Sequence, residues 1–398
     1  MSDRHYRFSG EKPVQALINN AHINAVLEAL GAGGKEVRFV GGCVRDAMLN
    51  KEVSEYDLAT PERPERVTEL LKNAGIKALP TGINHGTITA VVGNTFCQIT
   101  TLRRDIKTDG RHAIVEFTDD WKEDAARRDF TFNALSATPE GNVYDYFNGL
   151  QDLSDRVIKF VGRAEERILE DHLRILRYFR FIAVLGMQAN DKRTQDLCVE
   201  NAYLIANLSG ERIRNELFKI LKSENKYDAL GLMIGSGVTE YFLPEAVNPI
   251  LLKPLMWLET SATNFHSVGV DPIRRLASFL ETDKAGVDAI SDRLKFSNEQ
   301  RQKLKDLVEP RWQATWNINE IKLRALIYQL EPSYIVDLVL LKWSRMLNEK
   351  NQLTKEETDA WLHIIETADG WTRPMFPVSG QDLLDLNVEK GPSISSLL

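Results

Sequence analysis

Two carboxylates, Glu55 and Asp57, stand one residue apart shortly after a glycine pair, Gly41-Gly42, in the stretch VRFVGGCVRDAMLNKEVSEYDLAT that runs from Val37 to Thr60. At i and i+2 of a strand, both carboxylates project from one face. That spacing suits a hard divalent cation held over a triphosphate. The glycines remove side chains where a phosphate would approach the backbone. A helix expected over Cys43 to Leu49 turns its free N–H groups toward the same place, and Val37, Phe39 and Val40 have the character of a short buried strand leading into it. Each part alone is ordinary, because glycine pairs also serve packing and acids at i and i+2 also mark a solvated strand face. Arg45 and Asp46 directly after the glycines, followed by the acid pair, make the combination specific.

These residues resemble the nucleotidyltransferase superfamily, and within it the bacterial (class II) CCA-adding tRNA nucleotidyltransferases and their poly(A) polymerase relatives. GGCVRD is similar to that family's glycine-rich signature, which implies that Gly41, Gly42, Arg45 and Asp46 cradle a triphosphate. EYDLAT falls where the family has two aspartates flanking one residue, and the first of them is a glutamate here. The resemblance implies that Glu55 and Asp57 are catalytic and hold two Mg²⁺ ions. It also places a third acid where this chain has Gln98, which offers no charge. Two rival readings stay open. Poly(A) polymerase shares these motifs, but its bacterial form often carries a basic tail, and KEETDAWLHIIETADGWTRPMFP has no basic cluster. The altered acids also fit a degenerate homologue that binds tRNA or nucleotide without catalysis.

Further along, EDAARRDFTFNALS is similar to the family's second motif, which implies ribose and triphosphate binding by Arg128, Asp129 and Asn133. Arginine forks pair with phosphate oxygens, and Asp129 or Asn133 can hydrogen-bond a ribose hydroxyl. Taken alone, Arg127 and Arg128 read as a solvated helix face. From Ala164 a helix is expected whose apolar stripe, Ile168, Ile175, Phe179 and Ile182, opposes a polar side with Arg167, Glu170, Asp171, Arg174 and Arg177. A salt-bridged surface helix has the same pattern. ILEDHLRILRYFRF, however, resembles the family's nucleotide-selecting motif. It implies that Asp171 accepts from, and Arg174 donates to, the Watson–Crick edge of an incoming C or A, one helical turn apart, with Arg177 in the nucleotide-binding set. LSGERIRNEL resembles the last motif, with Ser209 as an N-cap. RRDIKTDGRH mixes both signs and lacks apolar periodicity, so a mobile loop is expected, carrying Arg103, Arg104, Asp105 and Arg111. The resemblance implies that this loop helps the switch from adding C to adding A. His85, lying in a turn, reads as a turn-stabilising donor rather than a catalytic group.

The elements that must position these groups alternate through residue 149. Helices are expected over Val14 to Leu30 and Pro61 to Ala74, with a turn over Thr81 to Thr87. Strands Ile88 to Val92 and Phe96 to Leu102 flank Gly93-Asn94, and Ala113 to Phe117 forms another strand. Beyond residue 149 the pattern is mostly helical. The expected fold is α+β, a nucleotidyltransferase (polymerase-β-like) head with a mixed sheet over 1–149, then an all-α neck (150–215), body (216–310) and tail (311–398).

With 398 residues the chain can bury several cores, and its net charge of -7 means that RNA must be met by local basic patches. Three scattered cysteines fit a reducing compartment and exclude a zinc knuckle. No run approaches the length of a membrane span, and a cytoplasmic protein without a membrane partner is expected. Six of seven tryptophans lie beyond residue 250, which predicts well-filled helical cores there. The expected activity is template-independent addition of CCA to the 3′ end of tRNA from CTP and ATP, releasing pyrophosphate, with Mg²⁺ as cofactor and the tail on the tRNA.

Overall fold

The computed structural model describes residues 4–7, 17–108, 113–186, 192–223, 226–263, 265, 267–350, 352–374, 379–387 and 391. Among these the strands all precede residue 146: β1 (Arg4–Arg7), β2 (Arg38–Val40), β3 (Tyr56–Thr60), β4 (Lys77–Gly82), β5 (Thr87–Val92), β6 (Thr95–Thr101), β7 (Arg103–Thr108), β8 (Ala113–Phe117), β9 (Ser136–Ala137) and β10 (Asn142–Asp145). Eight of them form one sheet in the order β1-β10-β9-β2-β3-β6-β5-β4, and β7 and β8 form a separate ribbon. The sheet is mixed. β3 and β6 run parallel with Asp57 beside Gln98 and Tyr56 beside Cys97, while β2 is antiparallel to both its neighbours.

Helices α1 (Ala21–Gly31), α2 (Gly42–Met48) and α3 (Pro64–Asn73) cover the sheet with the apolar stripes that the sequence period demands. Ile23, Val26, Leu30, Val44, Val67 and Leu71 are buried in one cluster with Phe39, Leu58 and Ile99 from the strands. After α4 (Trp121–Ala126), the segment carrying Asp129 and Asn133 is fastened by aromatic packing. The Phe130 and Phe132 rings stack with centroids 5.6 Å apart, and Phe181 meets both edge-on at 5.2 and 5.0 Å. Helices α5 (Gly149–Ser154), α6 (Ala164–Glu170), α7 (Leu173–Leu185), α8 (Lys192–Glu200) and α9 (Gly210–Lys222) follow. Ile168, Ile175, Phe179 and Ile182 are all buried, as their spacing predicts. Gly210 opens α9 so close to helix Lys284–Leu294 that a Cβ there would lie 1.9 Å from the Arg293 carbonyl oxygen.

The chain divides into two compact units, Met1–Pro249 with Leu280–Arg301, and Ile250–Phe279 with Gln302–Leu398. The described part of the second unit is helical. Trp343 and Trp361 stack at 6.4 Å in its core, but Trp257 is 50% exposed, so the tryptophans are only partly core residues. Among the described residues no helix is long and apolar enough to cross a membrane.

Four expectations are corrected. The first expected helix is interrupted: residues 17–18 are helical, residues 19–20 are not, and a new helix starts at Ala21, where the Asn20 side chain accepts the His22 N–H at 3.0 Å and caps it; residues 14–16 lie outside the described set. β4 occupies part of the expected turn. It is the last strand of the sheet order, an edge position where Pro80's missing N–H costs nothing. The expected loop over 103–112 is strand β7 as far as Thr108, with residues 109–112 outside the described set. Its mixed charges are pairing partners, Arg104 standing opposite Glu116. The single helix expected from Ala164 is two helices, α6 and α7, broken at Asp171 and His172.

Candidate active site

A cavity of about 470 Å³ opens within the first unit where the β2–α2 turn, the start of β3, the Asp129–Asn133 segment, α7 and α9 meet. Gly41 makes the turn at φ 72 and ψ -126, a conformation that side chains resist. A Cβ there would also come 2.8 Å from Arg128 Nη1. Arg45 follows on α2 and is nearly buried; its Nη1 donates to Asn133 Oδ1 at 2.8 Å, while Nε and Nη2 donate to the two Asp46 oxygens at 2.8 Å. Asn133 Nδ2 donates to Asp129 Oδ1 at 3.0 Å, and Arg177 donates to the other Asp129 oxygen. Asp46, Arg45, Asn133, Asp129 and Arg177 therefore form one continuous network. Burial alone would raise the Asp129 pKa; Arg177 and the hydrogen bonds from Asn133 and the Phe130 N–H more than offset it and hold the carboxyl below its usual range.

Glu55 and Asp57 both line this cavity, Glu55 from the exposed residue just before β3 and Asp57 from inside the strand. Burial pushes the Asp57 carboxyl above its ordinary pKa, Arg128 pulls it down and Glu55 pushes it up. A desolvated carboxylate beside a second one is a setting in which a cation is stabilising. Gln98 stands next to Asp57 in register, exposed and outside the cavity lining. Among the described residues no group of three His, Cys, Asp or Glu could hold a metal ion. The donor set is two carboxylates, which fits a hard cation that takes its remaining ligands from substrate phosphates and water.

Asp171 and Arg174 also line the cavity. Asp171 is extended (φ -151, ψ 104), not helical. Its Oδ1 accepts the Leu173 N–H at 3.1 Å, a side-chain cap that competes with helical continuation and explains the break. Both its oxygens also accept from Arg212 Nη2 of α9, at 3.0 and 2.8 Å. Arg174 Nη1 donates to Glu170 at 2.7 Å and to the Arg167 carbonyl at 2.9 Å. Acceptor and donor thus face one cavity from a helix break and a helix start, rather than from successive turns of one helix.

Of the residues singled out from sequence, Gly41, Gly42, Arg45, Glu55, Asp57, Arg128, Asp129, Asn133, Asp171, Arg174 and Arg177 are brought together in the lining. Asp46 stands behind Arg45. Arg103 and Arg104 are not in the lining: Arg104 donates to Glu116 and Glu123, and the Arg103 N–H donates to Asp124 Oδ1 at 3.3 Å. Asp124 in turn accepts from Arg127 and Arg128 at 2.9 and 3.3 Å, which ties the ribbon to the cavity wall. Arg111 and the side chain of Asp105 lie outside the described residues. His85 is an exposed turn residue whose carbonyl accepts from Arg103. Sequence reasoning assigned no role to Arg180, Phe181, Arg212 or Lys219, which also line the cavity. Their signal was spacing: Arg177 and Arg180 share a face of α7 at i and i+3, and Arg212, Glu216 and Lys219 share one of α9 at i, i+4 and i+7.

Residues 37–159 match the family model described as Poly A polymerase head domain, and residues 191–248 match that described as probable RNA and SrmB-binding site of polymerase A. The chain is 34% identical over 387 residues to the mitochondrial CCA tRNA nucleotidyltransferase 1 of Mus musculus, covering 94% of this chain and 84% of that one. It is 32% identical over 381 residues to the CCA-adding enzyme of Lactococcus lactis, covering 94% and 89%. Its fold matches the Bacillus stearothermophilus CCA-adding enzyme in complex with CTP at a TM-score of 0.66 and 23% identity, over 97% of this chain and 91% of that one. It also matches the Thermotoga maritima CCA-adding enzyme complexed with tRNA at 0.63 and 20% identity, over 100% and 93%.

Proposed function

Because the chain belongs to the bacterial-type (class II) family of CCA-adding tRNA nucleotidyltransferases and poly(A) polymerases, we propose that this nucleotidyltransferase adds C, C and A to the 3′ end of tRNA from CTP and ATP, without a nucleic-acid template and with release of pyrophosphate. One observation carries the reading: a single cavity is lined by a carboxylate pair, by an acceptor and a donor that could meet a base edge, and by further arginines. Arg45, Arg128 and Arg177 bind the triphosphate and ribose, and Gly41 and Gly42 let phosphate reach the backbone. Asp171 and Arg174 read the base edge, which requires each to exchange a present partner, Arg212 or Glu170, for the base. Glu55 and Asp57 would hold Mg²⁺, two ions by family resemblance. When bound, these ions would lower the pKa of the tRNA 3′-hydroxyl and neutralise charge on the leaving pyrophosphate.

The division into head (1–149), neck (150–215), body (216–310) and tail (311–398) belongs to the same proposal, with the tail on the tRNA. So does a cytoplasmic setting, which suits three free, buried cysteines. The test is incubation with tRNA ending before CCA, labelled CTP and ATP and Mg²⁺, read on a sequencing gel. Stepwise C, C and A is expected. Arg174→Ala should lose CTP-over-UTP and ATP-over-GTP discrimination by about tenfold or more while still binding nucleotide. Unchanged preference in a folded variant returns α7 to a surface role, and no incorporation by the wild type overturns the whole reading.

A further inference from the structure

Six arginines and one lysine line the cavity, and they differ in how their charge is already used. Every arginine is paired with a carboxylate: Arg45 with Asp46 at 2.8 Å, Arg128 with Asp124 at 3.3 Å, Arg174 with Glu170 at 2.7 Å, Arg180 with Glu216 at 2.6 Å, Arg212 with Asp171 at 2.8 Å, and Arg177 with Asp129. Lys219 stands 3.7 Å from Glu216, an acid that Arg180 already holds more closely. Its side chain is 58% exposed, against 11% for Arg45 and 30% for Arg212. The cause lies in α9, which turns Arg212, Glu216 and Lys219 to one side at i, i+4 and i+7. The first anchors Asp171, the second anchors Arg180, and the third, the most exposed of the cavity's cations, has only a long contact to an acid it shares with Arg180.

We propose that Lys219 is a contact for a backbone phosphate near the 3′ end of the RNA, separate from the cradle that takes the nucleotide triphosphate. The inference rests on the function proposed above and names a residue that grips the RNA. An ammonium on a flexible stem serves phosphate as a point charge without demanding fixed geometry, which suits an RNA end that must advance after each addition. The chain is acidic overall, with net charge -7, so its affinity for RNA has to come from such local surplus cations.

The test measures binding of a tRNA ending before CCA to the full chain, by fluorescence anisotropy over a series of KCl concentrations, for wild type, Lys219→Ala and Lys219→Arg. CTP affinity is measured separately by calorimetry. Lys219→Ala is expected to weaken RNA binding about fivefold at low salt and to reduce the slope of log K against log salt by roughly 0.7, the contribution of one single-strand phosphate contact. Lys219→Arg should restore both. CTP affinity should stay within about twofold, since the triphosphate arginines are untouched. RNA affinity and slope unchanged in Lys219→Ala, or a loss confined to CTP, would overturn the assignment and leave the proposed reaction standing. Failure of the wild type to bind this RNA would overturn both.

Discussion

Glutamate at position 55 keeps the charge of an aspartate but carries it one methylene further out, and Mg²⁺ at about 2.1 Å tolerates such displacement poorly. Gln98 supplies an amide where the family resemblance places an acid, and its register beside Asp57 puts that amide on the face where a carboxylate would act. Glu55→Asp combined with Gln98→Glu is therefore expected to raise the incorporation rate, by about three- to tenfold. Incorporation assays at several Mg²⁺ and Mn²⁺ concentrations check this, and a slower double variant would show that the chain has built its site around the residues it has. Asp57 also leaves a signature in stability. Its folded pKa is raised, chiefly by burial, so the folded state binds the proton more tightly than the unfolded one and loses stability as pH rises through the folded pKa. In the absence of divalent cation, Asp57→Asn should thus melt higher than wild type at pH above the folded pKa, where the wild-type carboxyl is ionised. That advantage should shrink as pH falls and the wild-type carboxyl protonates. Calorimetry across pH reads it, and a variant that melts lower throughout would refute the burial argument; incorporation should be abolished in either case.

At the scale of elements, what could be read from sequence depended on whether an element's reason for existing was local. The strand–glycine–helix unit around Gly41 was legible because the turn needs a positive φ that favours glycine. So was the apolar stripe of Ile168, Ile175, Phe179 and Ile182. The break at Asp171 was not, because the polar pattern continues unbroken through a residue whose side chain has turned to cap the next helix. β4 was hidden by Pro80 and by its edge position, and β7 by charges whose partner, Glu116, stands twelve residues on from Arg104. That ribbon supports a prediction of its own. The backbone N–H of Arg103 reaches Asp124, which also holds Arg128, so the ribbon ends on the wall of the cavity. Replacing Arg103 to His112 with a short Gly/Ser linker keeps a backbone donor at position 103 but removes the rest of β7. It should leave addition of the two C residues within about twofold and suppress the final A by roughly tenfold or more, because the last step is the one expected to need ribbon motion. The sequencing gel separates these outcomes, and equal loss at all three additions would assign the ribbon a structural role.

At the scale of the whole molecule, the two units have separate cores of different kinds. The first unit spends its charged residues around a cavity; the second buries a charge network in its own interior. There Arg274 donates to Glu259 at 2.6 Å and to Asp337 at 2.6 Å, Arg275 donates to the other Glu259 oxygen at 2.6 Å, and Lys303 bridges Asp337 and Asp271 at 2.8 Å. Arg274, Arg275, Glu259 and Asp337 are all nearly inaccessible to solvent. Burial opposes the charge on Arg274, and Asp337 and Glu259 more than compensate, so its pKa is raised. Such a network adds little net stability over apolar packing, yet removing one member strands the others as buried charges. Arg274→Met retains most of the side-chain volume while leaving, among the described residues, Glu259 with Arg275 and Asp337 with Lys303. The expected cost is about 3 kcal/mol of the second unit's stability. Because the cavity proposed to take the nucleotide is lined only by residues of the first unit, CTP affinity measured below the unfolding transition should not change. Urea denaturation followed by circular dichroism, paired with CTP calorimetry, separates the two quantities. A cost below about 1 kcal/mol would mean that the remaining cations satisfy both acids unaided, and a parallel fall in CTP affinity would mean that the second unit's core sets the geometry of the cavity.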